Sequence, residues 1–317
     1  FVAEANSFIN IFEQQPKVVL VDKHPLYHSS QYGKELAEKT NSKLIKIQHH
    51  KAHFTAILGE HNLFEEKVLG VVFDGTGYGD DAQIWGGEFF NYASNTIKRI
   101  SHLQYFDWIL GDKMAKEPRL SLFSLASEEM KSILEQKFSA SEIKNYTFLK
   151  SQNKLKTSSI GRLFDAVASL LNITDFNSYE GEAAILLENK ITDYDISNCK
   201  NYLTSIENGI SATQIISAIY NDIQQGSLTQ NIIADFLFTL ANSIIAIAKK
   251  HNYKHIALSG GVFQNTTLVD MLIALTPKEI KLYFHKDLSP NDENISFGQI
   301  MYYLKITNHQ KRTTNNS

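Results

Sequence analysis

Cysteine is almost absent from this sequence, and so is any excess of basic residues. Cys199 is the one cysteine among 317 residues, which excludes a disulfide framework and a cysteine-based zinc site within the chain. The 31 Lys and Arg residues are outnumbered by 34 Asp and Glu residues, so no basic field is available to hold a phosphate backbone. We therefore expect no nucleic-acid partner.

Long apolar runs and an N-terminal signal are also missing. No uninterrupted apolar run reaches the ~18 residues that span a bilayer, and the opening FVAEANSFIN has no basic segment. We expect no membrane partner and a cytoplasmic location. The chain does not begin with methionine, so we interpret it as a piece of a longer protein, with a disordered polar tail at residues 308–317.

Strand and helix patterns alternate in the first part of the chain. Short apolar runs at residues 17–22 and 43–48 predict strands, and residues 32–40 and 50–61 have the apolar spacing of helices. A strand–helix–strand–helix order predicts an α/β fold with parallel pairing.

A second set of strands frames a long helical region. Residues 67–74 predict a buried strand that ends in a glycine-rich turn at 75–79, and residues 83–93 and 97–106 predict an antiparallel meander. The chain is then mainly helical from 108 to 255. Further strands are expected at residues 255–259 and 281–286. The strings FDGTG and LSGGV suggest two equivalent parts of a duplicated fold.

Two histidines four residues apart, His49 and His53, lie at the start of the second predicted helix. Residues four apart share one face of a helix, so both imidazoles can reach one metal ion. His50 points to another part of the helix and is a weaker ligand candidate. The alternative is a pair of solvated or capping histidines, and spacing alone does not decide between the two.

Two glycine-rich strings follow predicted strands. After Asp74, the glycines Gly75 and Gly77 let backbone amides approach a phosphate and leave the carboxylate to face a metal. Gly260 and Gly261 open a predicted helix, whose N-terminal amides attract an anion. Turns without a ligand are the alternative in both places.

Several charged residues are further candidates. Asp165 lies among apolar residues of a predicted helix, where its carboxylate needs a partner, either a ribose or substrate amide or Arg162. Asp292 is either a hard metal ligand or a helix N-cap. Lys113 and Arg119 are candidates for holding an anionic group of a substrate, with solvated loop charges as the alternative.

Seven strings taken together resemble a known family. In chain order they are QHHKAH, FDGTGYGDDAQIWGGE, GDKMAKEPR, GRLFDAVA, SYEGEAA, LSGGVFQN and PNDENISFGQ. The same motifs in the same order occur in the HypF carbamoyltransferases, which are maturation factors of nickel–iron hydrogenases, and VDKHPLYHSSQY also matches their pattern. The resemblance covers residues 18–303.

This resemblance implies a fold. The matching region of HypF is its C-terminal transfer domain, which is similar to TsaD, the tRNA threonylcarbamoyltransferase subunit. The implied fold is α/β, the duplicated actin/hexokinase-like (ASKHA, RNase H-like) architecture, with two lobes around a nucleotide cleft and a helical insert. We expect an N-terminal lobe in residues 1–107, and the helical insert with the C-terminal lobe in residues 108–307.

The resemblance also implies residue roles. His49, His53 and Asp292 match metal ligands, for iron or zinc, and Asp74 matches an acid that faces the metal or the substrate phosphate. The positions that match nucleotide-binding residues are Gly75, Thr76, Gly77, Asp165, Gly181, Gly260, Gly261 and Asn265. The string PNDENIS departs from the family pattern in its Glu-Asn pair, where two glycines are common, and this bears on the shape of that loop.

A function follows from the same resemblance. Family members make carbamoyl-adenylate from carbamoyl phosphate and ATP, and the C-terminal domain passes the carbamoyl group to the C-terminal cysteine of HypE. The resemblance thus implies a carbamoyltransferase whose substrate is ATP or carbamoyl-adenylate. Its implied partners are HypE and the YrdC-like domain of the full-length protein. Cys199 has no motif around it, so the nucleophile is expected from the partner.

Other functions stay open at this point. One is a small-molecule O-carbamoyltransferase of the same family, and another is a non-catalytic nucleotide-binding scaffold subunit. The paired histidines argue against an actin-fold kinase, which holds Mg²⁺ through phosphates and carboxylates. The scaffold interpretation predicts that His49→Ala leaves function intact.

Overall fold

A computed structural model describes residues 2–12 and 14–307 of the chain. The strands are β1 (Val18–Asp22), β2 (Lys43–Ile47), β3 (Val68–Tyr78), β4 (Ile84–Ala93), β5 (Thr96–His102), β6 (Phe106–Asp107), β7 (Lys156–Thr157), β8 (His255–Ser259) and β9 (Lys281–Tyr283). The predicted disordered tail, residues 308–317, lies outside the described residues.

Helices fill most of the middle of the chain, as the sequence predicts. The α-helices are α1 (Val2–Phe12), α2 (His28–Lys39), α3 (His49–Glu60), α4 (Lys113–Lys116), α5 (Pro118–Leu125), α6 (Lys131–Lys137), α7 (Ala140–Gln152), α8 (Ile160–Leu170), α9 (Glu182–Glu188), α10 (Ala212–Gln224), α11 (Thr229–Lys250), α12 (Thr266–Leu275) and α13 (Ile295–Tyr302). Short 3-10 turns lie at Glu128–Met130, Ile196–Asn198, Gly261–Gln264 and Asp292–Asn294, and a π-helical turn at Tyr303–Thr307.

The strands form two sheets. Strands β1 and β2 pair in parallel, as expected for the first part of the chain. The larger sheet has the order β6-β7-β4-β3-β8-β9, with β5 paired to β4. Strands β3, β8 and β9 are parallel to one another, and β4 is antiparallel to β3. The strings FDGTG and LSGGV therefore lie on neighbouring strands of one sheet. That sheet combines strands from both sides of residue 107, and the division into lobes there stays a prediction.

Strand β3 is buried on both faces. Leu69 and Phe73 belong to the core beneath the helical region, whereas Val68 and Val72 belong to the core beneath α3. Side chains alternate along a strand, so the next position on the α3 face is Asp74. The strand thus directs this carboxylate toward α3.

Helix α3 lies close to the sheet. The Gln48 side chain caps it by accepting a hydrogen bond from the backbone N–H of Lys51 at 2.9 Å. The Phe54 ring covers Gly70 of β3, where an added Cβ would be 2.5 Å from the ring. The missing side chain lets the helix approach, and its first turn then reaches the end of the buried part of β3.

The glycine string after Asp74 is not a turn, so that prediction was wrong. Strand β3 continues to Tyr78 and keeps its pairing with β4, with Gly77 opposite Trp85 after a shift in register. The chain reverses only later, where Gly79 N–H donates to the Gln83 carbonyl at 2.8 Å. A β-bulge and a turn favour the same glycines, and the long-range pairing decides between them.

Other boundaries also differ from the predictions. The strand expected at residues 97–106 ends at His102, and Phe106 begins the separate short strand β6. The helix expected directly after Gly261 is preceded by a 3-10 turn, and α12 begins at Thr266. Terminal residues of elements depend on caps and partners that a local pattern does not contain.

Helix α11 is long and apolar enough, by length and composition, to cross a membrane. Its most apolar window is nonetheless 78% buried inside the protein. Phe236 and Leu240 of this helix are fully buried in the main core. Helix α11 is therefore a core helix of this fold, packed beside α10 and α12.

Candidate metal centre

Three imidazole rings at the start of α3 point toward the same small space. The Nε2 atoms of His49, His50 and His53 are buried, and within the described chain each is without a hydrogen-bond partner. Buried polar atoms are normally paired, because an unpaired one loses its hydration without compensation. Three such nitrogens beside carboxylates indicate a site for a cation.

Two carboxylates approach these nitrogens from distant parts of the chain. Asp74 Oδ2 is 3.5 Å from His49 Nε2 and 3.7 Å from His53 Nε2, and Asp292 Oδ1 is 3.4 Å from both. The ligand atoms of these four residues, hereafter the metal cluster, all lie within 4.8 Å of one another. Donors each about 2.1 Å from one tetrahedral ion lie about 3.4 Å apart. The cluster therefore fits one divalent zinc or iron ion.

The other nitrogen of each ligand ring is held by a second residue. His49 Nδ1 is 2.9 Å from Asp22 Oδ2, and His53 Nδ1 is 3.0 Å from Asn294 Oδ1. These acceptors require a proton on Nδ1, which leaves the Nε2 lone pair for a metal. Neither Asp22 nor Asn294 was predicted from the sequence as a partner of these histidines. The position of Asp22 could have predicted its role. It is an acidic residue at the end of a short apolar strand, as Asp74 is at the end of the buried part of β3.

His50 does not point away from the site, contrary to expectation. Its Nδ1 is 3.1 Å from the Gln48 amide nitrogen, and its Nε2 is 3.8 Å from Asp74 Oδ2. The His50 ring fits because residue 77 is a glycine. A Cβ added at this position would lie 2.5 Å from the ring. Burial, and then the neighbouring His49, lower the pKa of His50 well below its usual value. His50 is thus a neutral ring beside the metal cluster.

The carboxylates of the metal cluster are held in their ionised form. Burial lowers the pKa of His49, but the hydrogen bond to Asp22 and the nearby carboxylates of Asp292 and Asp74 outweigh it and raise the pKa well above its usual value. Burial raises the pKa of Asp74, yet His49 and His53 hold it well below its usual range. The same two histidines, each 3.4 Å from its carboxylate, lower the pKa of Asp292 most strongly. The two carboxylates therefore attract positive charge, and a bound cation would take the place of the proton that they hold on His49.

Both glycine strings border the metal cluster. An added Cβ on Gly75 would meet only open space among the described atoms, and one on Gly261 would lie 3.6 Å from Asp74 Oδ1. Gly260 has a φ of +100°, and an added Cβ there would be 2.2 Å from the Phe73 carbonyl oxygen. The ends of β3 and β8 can approach so closely only with glycine at this position. The predicted phosphate contacts of Gly75, Thr76, Gly77, Gly260 and Gly261 stay predictions.

Asp165 is paired with Arg162, which is one of the two partners left open by the sequence. Arg162 Nε lies 2.7 Å from Asp165 Oδ2 as an ion pair without good hydrogen-bond direction, and Asn177 Nδ2 donates to Oδ1 at 3.1 Å. Burial raises the pKa of Asp165 to about 6, although Arg162 and Asn177 act in the opposite direction. A ribose contact of Asp165 stays a prediction.

The remaining nucleotide candidates have local structural roles. Asn265 Oδ1 accepts the backbone N–H of Leu268 at 2.8 Å and caps α12. Gly181 has a φ of +79° and precedes α9, a conformation that favours glycine. Nucleotide binding by Asn265 and Gly181 stays a prediction.

Lys113 and Arg119 lie in the helical region and are already paired. Arg119 Nη2 donates to Glu117 at 3.0 Å and to Glu142 at 3.1 Å. Lys113 Nζ donates to the Tyr146 hydroxyl at 3.1 Å. An anionic substrate would have to displace the carboxylates from Arg119. The prediction that Lys113 and Arg119 hold an anionic group of the substrate during catalysis draws no support from these contacts and stays a prediction.

Known proteins match nearly the whole chain. A family model described as the second subdomain of the carbamoyltransferase Kae1-like domain matches residues 70–299, and one described as the HypF Kae1-like domain matches residues 1–60. Carbamoyltransferase HypF of Synechocystis sp. is 32% identical over 92% of this chain and 40% of its own length. Probable carbamoyltransferase HypF of Methanocaldococcus jannaschii is 32% identical over 90% of this chain and 39% of its own length.

A solved structure agrees with these relatives. A crystal structure of full-length HypF in a phosphate- and nucleotide-bound form superposes with a TM-score of 0.82, at 29% identity over 96% of this chain and 49% of that chain. The chain spans about two fifths of the length of the Synechocystis and Methanocaldococcus relatives. The predicted α/β actin/hexokinase-like fold class is confirmed. The predicted family is confirmed as well, and the chain belongs to the HypF carbamoyltransferase family through its Kae1-like domain.

Proposed function

We propose that this chain transfers a carbamoyl group from carbamoyl-adenylate to a thiol, as the transfer domain of a cytoplasmic HypF-type maturation factor. The observation that carries the proposal is the metal cluster, whose donor atoms converge beside two glycine-rich strand ends. An adenylate presents anionic oxygens that suit both a divalent ion and free backbone amides. A full-length relative was crystallised with phosphate and nucleotide bound, which supports a nucleotide substrate.

The metal cluster would hold one divalent ion, iron or zinc, which would supply Lewis-acid polarisation of a substrate oxygen. The chain's own residues orient the ligands. Asp22 and Asn294 fix the rings of His49 and His53, and strand β3 fixes Asp74 against α3. A site held this rigidly favours catalysis by positioning and charge stabilisation.

The proposed reaction is a thiol substitution at the carbamoyl carbon. The acceptor thiol first loses its proton to water, because the thiolate is the nucleophile. Its sulfur attacks the carbonyl carbon, and a C–S bond forms while the C–O bond to the phosphate breaks. AMP departs with the electron pair of that bond. The products are a thiocarbamate and AMP.

The acceptor has to come from outside this chain. Cys199 is the one cysteine in the sequence, and burial, with Asp235 and Asp195, raises its pKa to about 11. It is therefore a protonated, unreactive thiol at neutral pH. The proposed acceptor is the C-terminal cysteine of HypE, and the proposed donor is made from ATP and carbamoyl phosphate by the YrdC-like domain of the full-length protein.

A direct transfer assay tests this function. The chain is incubated with carbamoyl-adenylate and a peptide that ends in the HypE cysteine, with and without a chelator. Mass spectrometry should detect thiocarbamate on the peptide, above a background without protein. The chelator and His53→Ala should each remove most of the product, since both remove the metal.

His28→Ala is the matched control, because His28 is an exposed histidine at the start of α2. It should transfer at the rate of the unsubstituted chain. If no thiocarbamate forms under any condition, the transferase proposal fails. Nucleotide binding that persists unchanged in His53→Ala, without any transfer by the unsubstituted chain, would favour the scaffold alternative.

A further inference from the structure

A chain of buried polar contacts leads from the last residue of α3 back to a ligand near its beginning. Its members, hereafter the relay, are Glu60, His285, Ser259 and Asn294, and it ends at His53. Glu60 and His53 are on one helix, whereas the other members follow the carboxyl ends of β8 and β9 or lie in the loop before α13. The relay therefore connects the segments that supply the metal cluster.

The first member of the relay, Glu60, is a carboxylate that only accepts hydrogen bonds. Glu60 Oε1 accepts the backbone N–H groups of Lys286 and Asp287, each at 2.7 Å, and Oε2 is 2.6 Å from His285 Nδ1. Burial raises the pKa of Glu60, but these hydrogen bonds outweigh it and hold the pKa below its usual value. An ionised carboxylate only accepts hydrogen bonds, so His285 carries its proton on Nδ1 and presents a lone pair at Nε2.

The next contacts of the relay fix the orientation of the Asn294 side-chain amide. His285 Nε2 lies 2.9 Å from Ser259 Oγ and 3.4 Å from Asn294 Nδ2, so both neighbours face it as donors. Asn294 Nδ2 also donates to the Ser289 carbonyl at 2.8 Å. With its nitrogen held on this side, Asn294 turns its oxygen toward His53.

We propose that Glu60 and His285 are positioning residues of the metal centre, which fix the tautomer of His53 through Asn294. Asn294 Oδ1 accepts from His53 Nδ1 at 3.0 Å, so the proton of His53 is on Nδ1 and its Nε2 lone pair faces the metal cluster. The inference rests on the metal site of the proposed function. It adds that one carboxylate, outside the ligand set, acts together with the Ser289 carbonyl on the state of a ligand.

The contacts of Ser259, His285 and Glu60 resemble a serine–histidine–acid triad. Burial excludes a nucleophilic role, because Ser259 is 0% exposed and lies in the sheet opposite Val72. A substrate cannot reach such an oxygen. The same geometry fits a relay of hydrogen bonds between one carboxylate and one metal ligand.

The first test is Glu60→Gln, measured with metal alone. The amide keeps the size of the side chain but can both donate and accept, so His285 loses its fixed tautomer. We expect the Zn²⁺ dissociation constant, measured by chelator competition, to rise roughly tenfold to hundredfold. In the metal-free protein, ¹⁵N NMR should show His53 as the Nδ1–H tautomer before the substitution and as a mixture after it. The His53 signals are assigned by their loss in His53→Gln.

The second test separates the relay from loop anchoring. In His285→Asn the side-chain amide can still donate to Glu60, which keeps its bonds to the loop backbone, but the acceptor at Nε2 is lost. The Zn²⁺ dissociation constant should rise in His285→Asn, as it should in Glu60→Gln. Glu66→Gln is the control, because it alters another Glu–His contact, to His255 at 3.7 Å, outside the relay. It should leave Zn²⁺ affinity and the His53 tautomer unchanged.

The outcomes are distinct. If Glu60→Gln folds and leaves the Zn²⁺ affinity and the His53 tautomer unchanged, the relay proposal is wrong. If Glu60→Gln does not fold, His285→Asn decides, and an unchanged affinity there overturns the proposal. If the unsubstituted chain binds no Zn²⁺, Fe²⁺ or Co²⁺, the metal site of the proposed function fails, and the relay has no ligand to position.

Discussion

At the scale of single residues, a histidine can bind a metal only through a ring nitrogen that carries no proton. The four-residue spacing of His49 and His53 predicts that both rings share one helix face, which the structure confirms. It does not say which ring nitrogen is free. That depends on Asp22 and Asn294, which are 27 and 241 residues away in sequence from the histidines they hold. A local pattern therefore predicts the pair but not its protonation.

Asp165 gives a pH-dependent prediction at the same scale. Its pKa is raised from an ordinary value of 3.8 to about 6, so the folded state binds the proton more tightly than the unfolded state. This stabilisation is fully present below pH ~4 and is lost as pH rises through about 6. In Asp165→Asn that contribution is absent at every pH. Denaturant unfolding should show the stability of Asp165→Asn, relative to the unsubstituted chain, improving by about 2 kcal/mol between pH 4.5 and 7.

The comparison at two pH values separates titration from packing. A change in packing caused by the substitution shifts the stability of Asp165→Asn equally at both pH values, whereas the titration of Asp165 makes the difference depend on pH. Asp175→Asn is a useful control, because Asp175 forms an ion pair with Lys137 nearby and is less buried. A stability difference for Asp165→Asn that does not change with pH would show that the carboxyl group is not buried as described.

At the scale of elements, two helices hold the metal cluster together. Helix α13 follows the Asp292 turn and packs on α3, where Thr55 Oγ1 donates to the Gly298 carbonyl at 2.7 Å. An added Cβ on Gly298 would be 2.0 Å from the Ala52 carbonyl oxygen. This close approach brings the Asp292 turn against the histidines at the start of α3.

Gly298→Ala should therefore separate the two helices. We expect a loss of about 1–3 kcal/mol in the free energy of unfolding, measured in denaturant, because the added methyl group overpacks the contact. Metal affinity should fall as well, since Asp292 moves with α13. Ser296→Ala on the exposed side of the same helix should change neither quantity appreciably. Equal stability of Gly298→Ala and Ser296→Ala would contradict the described packing.

The elements also show where sequence patterns are insufficient. Apolar spacing predicts α3, β1 and β2 to within one residue at each end, whereas α2 begins at His28, four residues before its predicted start. The glycines after Asp74 were predicted as a turn, because a bulge in a strand uses the same residue types. Pairing of β3 with β4 past this point involves Trp85 and Ile84, and it depends on the whole sheet. Similarly, nothing in the strings that contain Lys113 and Arg119 predicts their partners Tyr146 and Glu142.

At the scale of the whole molecule, the common direction of the parallel strands brings the residues of the site together. Asp22, Ser259 and His285 lie at or just after the carboxyl ends of β1, β8 and β9, and Asp74 lies just after the part of β3 that pairs in parallel with β8. In α/β sheets this edge is where ligands bind. The order of the motifs in the sequence predicts the family and the fold class, both of which are confirmed. The relay at this edge was not predictable, because its members come from separate strands, loops and helices.

The central claim is that distant parts of the chain form one divalent-metal site. The most direct measurement is the number of Zn²⁺ or Fe²⁺ ions bound per chain, determined by elemental analysis after removal of free metal. We predict one ion for the unsubstituted chain and for the His28→Ala control, and strongly reduced metal for His53→Ala and for Asp292→Asn. Metal content that is unchanged in both of these variants, or no metal in the unsubstituted chain, would contradict it.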